Sequence, residues 1–149
     1  MSGVYVDTSA LLKRYVPERG SDAFDAFFIE RSPVGISRLT LVEVRSGLAR
    51  RRREKQLTPK QERAAMDQVH KDILDGVLVV EPGADAHLVE AFHLIDKLPG
   101  VPLRTLDAMH LAIARHTGAR ILATADRIQA DAAEALGMAV ERFFKTSES

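Results

Sequence analysis

Five short apolar runs, separated by longer stretches with apolar residues at helical spacing, constrain this chain more than any other feature. The runs fall at residues 4–6, 34–37, 77–81, 120–124 and 138–143. Between them, Phe24, Phe27 and Phe28 share one helical face, as do Leu41, Val44 and Leu48. Met66, Val69 and Ile73 repeat the stripe, then Leu88, Phe92 and Ile95, then Leu111 among alanines, then Ile128, Ala132 and Leu136. Such alternation of strand-like runs and amphipathic segments predicts an α/β fold around a mostly parallel five-stranded sheet. Right-handed crossovers place the helices on both faces of that sheet. Pro17, Gly20, Pro33, Pro59, Gly76, Pro82, Gly83, Pro99, Gly100, Gly118 and Gly137 sit at the breaks.

With 149 residues, no internal repeat and no linker, the chain predicts one domain over residues 1–149. It contains no cysteine, which excludes a disulfide framework and any thiolate metal site. No charged and apolar leader precedes the first run and no long apolar span follows, so a cytoplasmic protein without membrane contact is expected. Formal net charge is zero, but residues 38–63 carry nine Lys or Arg against three acids.

The chemistry concentrates where strands give way to helices. Val4-Tyr5-Val6 breaks into Asp7, Thr8 and Ser9 before Leu11 and Leu12 start a helix. Ligands of open α/β sheets bind outside the carboxyl ends of the strands, and Asp7 stands at such an end. It equally suits a helix N-cap, since Asp, Thr and Ser side chains accept orphan backbone N–H groups. Three more acids occupy comparable places. Thr40-Leu41-Val42-Glu43 has the form of a capping box, with Thr40 as cap, and Asp126 with Gln129 makes a second. Asp107 lies in the first turn of the helix that follows Arg104. A macrodipole attracts each acid singly, yet does not explain their convergence. Asp7 and Asp126 leave strands at one edge of the sheet, and Glu43 and Asp107 open helices that return from that edge.

Four carboxylates facing one cleft repel unless a cation sits among them or some protonate. Oxygen ligands without Cys or a paired-His motif suit Mg²⁺ or Mn²⁺ better than zinc. Such ions activate water and stabilise charge on a phosphoryl oxygen, which favours phosphodiester hydrolysis.

Four segments carry a resemblance: Val6-Asp7-Thr8-Ser9-Ala10-Leu11-Leu12-Lys13, Ser37-Arg38-Leu39-Thr40-Leu41-Val42-Glu43-Val44, Leu103-Arg104-Thr105-Leu106-Asp107-Ala108-Met109-His110-Leu111-Ala112 and Ala123-Thr124-Ala125-Asp126-Arg127. In this order they resemble the PIN-domain proteins of the VapC toxin type, over nearly the whole chain. The resemblance implies a three-layer α/β/α sandwich. It also implies a metal-dependent endoribonuclease that is the toxin of a toxin–antitoxin pair, usually a homodimer inhibited by a cognate VapB-type antitoxin. Asp7, Glu43 and Asp107 match the family's three most regular metal-associated acids, and Asp126 matches the fourth, which varies in position and can act through water. Thr8, Ser9 and Thr124 become supporting hydroxyls.

Other residues have two readings each. Arg104, three residues before Asp107, can orient that carboxylate, contact an RNA phosphate or be a surface arginine at a helix start. His110, three residues after it, reads as a packed or hydrogen-bonded histidine in preference to a ligand, because hard cations favour oxygen. Arg50 and Arg51 share a helix face with Glu43 and could hold RNA phosphates, or simply complement a helix C-terminus. The Phe24-Phe27-Phe28 stripe reads as core or dimer surface. His-Glu-x-x-His, a P-loop and a complete nucleophile elbow are all absent. A phosphotransfer receiver domain would need paired acids after the first strand, where Thr8 and Ser9 stand instead. Two alternatives to the toxin remain: a PIN-type RNA-processing nuclease without an antitoxin, and a non-catalytic module binding RNA or protein whose acids are only caps.

Overall fold

The computed structural model describes residues 3–144, so both ends of the expected 1–149 domain, residues 1–2 and 145–149, lie outside the described residues. Its elements alternate as the apolar runs predict: β1 (Val4–Val6), α1 (Thr8–Tyr15), α2 (Ser21–Arg31), β2 (Val34–Ser37), α3 (Arg38–Arg53), α4 (Pro59–Leu74) and β3 (Leu78–Glu81), followed by α5 (Asp85–Lys97), α6 (Thr105–His116), β4 (Ile121–Thr124), α7 (Arg127–Ala135) and β5 (Ala139–Arg142). The strands form one sheet in the order β3-β2-β1-β4-β5, and every pairing is parallel. The expected mostly parallel sheet is therefore wholly parallel.

That order has a chemical consequence. The chain winds outward from β1 through β2 to β3, then crosses back to place β4 on the other side of β1. The carboxyl ends of β1 and β4 therefore flank the point where the winding reverses, which is where α/β sheets leave a crevice. Their register pairs Val6 with Ala123, and the Asp7 N–H continues the ladder to the Ala123 carbonyl at 3.1 Å. Asp7 and Thr124 thus leave the sheet side by side.

Alternation along β1 divides the core into two layers. Val4 and Val6 face a cluster that includes Leu11, Phe24, Phe28, Val44, Leu48 and Val69, from helices α1–α4. Tyr5 faces the opposite cluster, with Leu94, Leu111, Ile113 and Ala132 from α5, α6 and α7. Sheet and helices form the three layers that the resemblance implies. Phe24 and Phe28 are buried, and Phe27 packs against Phe143, so the phenylalanine stripe is core.

Helix α3 lies against α1 where Gly47 meets Leu12: a Cβ on Gly47 would stand 3.3 Å from a Leu12 methyl. That close approach fixes the helix that carries Glu43 relative to the one that starts at Asp7. No helix among the described residues is long and apolar enough to cross a membrane.

Candidate active site

Asp7 both caps a helix and anchors a polar network. As N-cap of α1 its Oδ1 accepts the Ala10 N–H at 3.1 Å and the Ser9 hydroxyl at 2.7 Å. Its Oδ2 accepts the Thr124 hydroxyl at 2.5 Å. Each of those hydroxyls has one proton to give and gives it to Asp7, which leaves its lone pairs for the loop beyond β4. Ser9 Oγ accepts the Ala125 N–H at 2.8 Å, and Thr124 Oγ1 accepts the Asp126 N–H at 3.0 Å. The loop presenting Asp126 is thereby tied to Asp7.

Asp126 caps α7, its Oδ1 accepting the N–H groups of Ile128 at 2.9 Å and Gln129 at 3.3 Å. The expected second half of a capping box is absent. The Gln129 amide instead donates to the Asp107 main-chain carbonyl at 3.1 Å, binding the start of α6 to the start of α7. Arg104 spans the two acids: its Nε donates to Asp107 Oδ2 at 3.3 Å and its Nη2 to Asp126 Oδ2 at 3.2 Å. The spacing predicts the first contact. The second joins residues 22 apart in sequence.

Glu43 is placed differently from the sequence expectation. The N-cap of α3 is Ser37, and Thr40 is its N3 residue, each hydroxyl accepting the other's backbone N–H. Two hydroxyls three residues apart satisfy the capping box without a carboxylate, so Glu43 lies a turn further on and does not cap. Its Oε1 accepts the Thr8 hydroxyl at 2.7 Å and contacts His110 Nε2. The other face of the His110 ring sits 2.8 Å from the Tyr5 hydroxyl through Nδ1. Tyr5 also donates to Ser37 Oγ at 2.9 Å. His110 is the hydrogen-bonded, buried histidine that its sequence position suggests. Tyr5 was not singled out by motif, although a phenol in the middle of a buried strand requires a partner.

The electrostatics differ between the acids. Asp7 is only 4% exposed, and burial pushes its carboxyl above the usual carboxylate range. The charge of His110 and the bonds from Thr124, Ser9 and Ala10 pull the other way without overcoming it. Glu43 also feels burial pushing it up, but the His110 bond and charge, with the Thr8 hydroxyl, hold it below the usual range. The four acids therefore line one edge in two pairs. Asp7 and Glu43 both feel the charge of His110, while Asp107 and Asp126 share Arg104. Among the described residues no group of three or more His, Asp or Glu side chains stands close enough to hold a metal ion. Convergence of all four into one cluster, expected from their positions, is not seen among the described residues, and Arg104 bridges the second pair.

Of the basic run, Arg45 and Arg52 pair with Glu62 on α4. Arg51 bonds the Gly47 carbonyl at 3.1 Å and Glu18 at 3.4 Å, whereas Arg50 is exposed.

Comparison with known proteins agrees with this architecture. The PIN domain model matches residues 4–135. Ribonuclease VapC46 of Mycobacterium tuberculosis is 33% identical over 144 residues, covering 94% of this chain and 97% of its own. Among solved structures, the sarcin-ricin-loop-cleaving toxin VapC20 of Mycobacterium tuberculosis superposes with a TM-score of 0.69 at 20% identity, over 87% of this chain and 94% of its own. DNA-bound VapBC of Salmonella typhimurium gives 0.66 at 20% identity, over 96% and 99%. At such identities the structures speak to the fold. The matched stretch runs from the first strand through the helix that Asp126 caps, and with the relationship to VapC46 it shows that this chain belongs to the PIN-domain family, among the VapC-type ribonucleases.

Proposed function

We propose that this protein is a divalent-metal-dependent endoribonuclease and the toxin of a toxin–antitoxin pair. The observation that carries the reading is Asp7, a carboxylate buried at the sheet's winding-reversal point whose burial its partners among the described residues do not fully offset. A second observation fits it: the neighbouring pair, Asp107 and Asp126, has drawn a guanidinium between its carboxylates. The donors are hard oxygens with no sulfur among them, the chemistry that Mg²⁺ and Mn²⁺ prefer. Asp7, Glu43 and Asp107 would hold the ion, with Asp126 reached directly or through water, once Arg104 leaves the second pair. When bound, such a cation supplies Lewis acidity toward a phosphoryl oxygen and a lowered pKa for water.

The protein's own groups have distinct tasks. Ser9 and Thr124 fix both oxygens of Asp7 and the loop that carries Asp126. Thr8 and His110 hold Glu43. Gln129 fixes the start of α6, where Asp107 projects. Arg104, 70% exposed along its side chain, can exchange its two carboxylates for an RNA phosphate, which a guanidinium binds through the same forked, charge-assisted bonds. Arg50 would add a phosphate contact along α3, while Arg51 is held by Glu18. A VapB-type antitoxin is the partner that the VapBC structures suggest, and a second copy of the chain is the one that the family resemblance implies.

RNA cleavage by wild type and Asp7→Asn, each with Mn²⁺ and with excess chelator, tests the reading. Cleavage confined to wild type with Mn²⁺ supports it, and equal cleavage by both proteins would overturn it. Expression in a bacterial host then separates a toxin, which arrests growth, from an RNA-processing nuclease without an antitoxin, which does not.

A further inference from the structure

The structure holds Glu43 by an arrangement that its distance from the first strand would not suggest. Glu is a flexible side chain, and ordering one costs conformational entropy. Glu43 stands on α3, yet both of its bonds come from elsewhere, from Thr8 at the start of α1 and from His110 on α6. Both reach the same oxygen, Oε1, and Oε2 carries no bond among the described residues. One oxygen is thus tethered and the other is not, on a side chain that is 24% exposed.

The tether itself is anchored deep in the sheet. His110 is 3% exposed, and its ring has a partner on each nitrogen. Nδ1 meets Tyr5 at 2.8 Å, and Nε2 meets Glu43. Tyr5 is fully buried in the central strand, two residues before Asp7, and its hydroxyl also donates to Ser37, the residue that caps the helix carrying Glu43. A histidine needing only to satisfy its own polar atoms could end on backbone carbonyls. This one links the strand that ends in Asp7 to the carboxylate on α3.

We propose that Tyr5 and His110 form a positioning arm for Glu43, holding Oε1 so that Oε2 stays available to the cation that the proposed function assigns to the acids. His110 and Tyr5 are positioning residues: neither touches the cation or RNA, and each acts through Glu43. The inference rests on the reading of Glu43 as a cation ligand. Partners of this kind commonly change metal affinity by ~10–100-fold when removed.

Two substitutions separate positioning from packing, because the amide of Gln reproduces the place of Nε2 and the shorter amide of Asn that of Nδ1. Calorimetric Mn²⁺ titration and the Mn²⁺ paramagnetic resonance spectrum of His110→Gln, His110→Asn and Tyr5→Phe provide the readout, alongside RNA cleavage. The expected result is a loss of Mn²⁺ affinity of ~10-fold or more for His110→Asn, recovery to within ~3-fold of wild type for His110→Gln, and an intermediate loss for Tyr5→Phe. Equal affinities for the Gln and Asn variants would overturn the proposal. If wild type binds no Mn²⁺, or Asp7→Asn binds it as well as wild type, the cation reading itself fails. If Asp7→Asn loses binding while the two His110 variants agree, the positioning arm alone fails. Should the His110 variants not fold, the ¹⁵N signals of the His110 ring in wild type decide. They shift on Mg²⁺ addition and do not shift in Glu43→Gln if the arm acts through Glu43, and an unresponsive ring in wild type overturns it.

Discussion

Asp7 and Asp72 are almost equally buried, at 4% and 2% exposure, yet the chain treats them in opposite ways. Asp72 on α4 receives both Nε and Nη2 of Arg14, at 2.8 and 3.1 Å, with the Tyr15 hydroxyl at 2.6 Å and the Gln68 amide at 2.9 Å. Burial pushes its carboxyl up, but the bonds from Arg14, Tyr15 and Gln68 outweigh burial and hold it below the usual range. Asp7 receives two hydroxyls and one amide but, among the described residues, no side-chain cation in contact, and remains above that range. The first carboxylate is neutralised from within and ties α1 to α4. The second is ordered from within but left short of positive charge, as a group that completes its coordination from outside the chain would be.

Substitution at the two acids should give the widest separation. Asp7→Asn is expected to lower RNA cleavage by ~10³-fold, the loss of several kcal/mol of transition-state stabilisation, while leaving a folded protein. Asp72→Asn should leave cleavage per folded molecule unchanged. Its cost falls on stability, because Arg14 loses its partner: about 2–3 kcal/mol, below the usual cost of breaking a buried pair since Arg14 is partly exposed. That corresponds to about 5–10 °C in Tm for a chain of this size, measurable by thermal melting. Cleavage lost in both variants, or melting lowered more by Asp7→Asn, would break the comparison.

Added Mg²⁺ sharpens it further. Mass action predicts about 1.4 kcal/mol of stabilisation at tenfold excess over Kd, present in wild type and Asp72→Asn and absent in Asp7→Asn. An equal rise in all three would mean that the ion binds elsewhere.

The pH dependence should have opposite signs at the two sites. For Asp72, with its folded-state pKa depressed, the stabilisation is present above the unfolded-state pKa and lost as pH falls through the folded value. The melting gap between wild type and Asp72→Asn therefore closes in acid. For Asp7, with its pKa raised, the native protein keeps a proton that the unfolded chain has released, so stability falls as pH rises through that window. Without divalent ions, Asp7→Asn should melt above wild type by a small margin that grows from acid to neutral pH. Melting curves recorded across that range check both signs.

How much of this was legible in the sequence follows from the range of each interaction. The strand runs and helix stripes are local, so the architecture was readable, and with it the placement of Asp7 beside Thr124. The Arg104–Asp107 contact follows from helix spacing. The Arg104–Asp126 contact does not, because it depends on how two helices start side by side. The capping box of α3 went to Ser37 and Thr40 instead of Thr40 and Glu43, since both patterns obey the same rule and only the helix start decides. The basic run illustrates the limit of counting charge. Arg45, Arg51 and Arg52 bind Glu62 and Glu18, partners outside or at the far end of the run. Tyr5 with His110, and Arg14 with Asp72, join residues 105 and 58 apart, with no periodicity to mark them.

The most direct test of the central claim is cleavage of a defined RNA by wild type and Asp7→Asn at equal folded concentration, with Mn²⁺ and with excess chelator. Cutting by wild type with Mn²⁺, abolished by the chelator and by the single oxygen-to-nitrogen change at Asp7, is the predicted result. Undiminished cutting by Asp7→Asn, or by wild type in chelator, would contradict it.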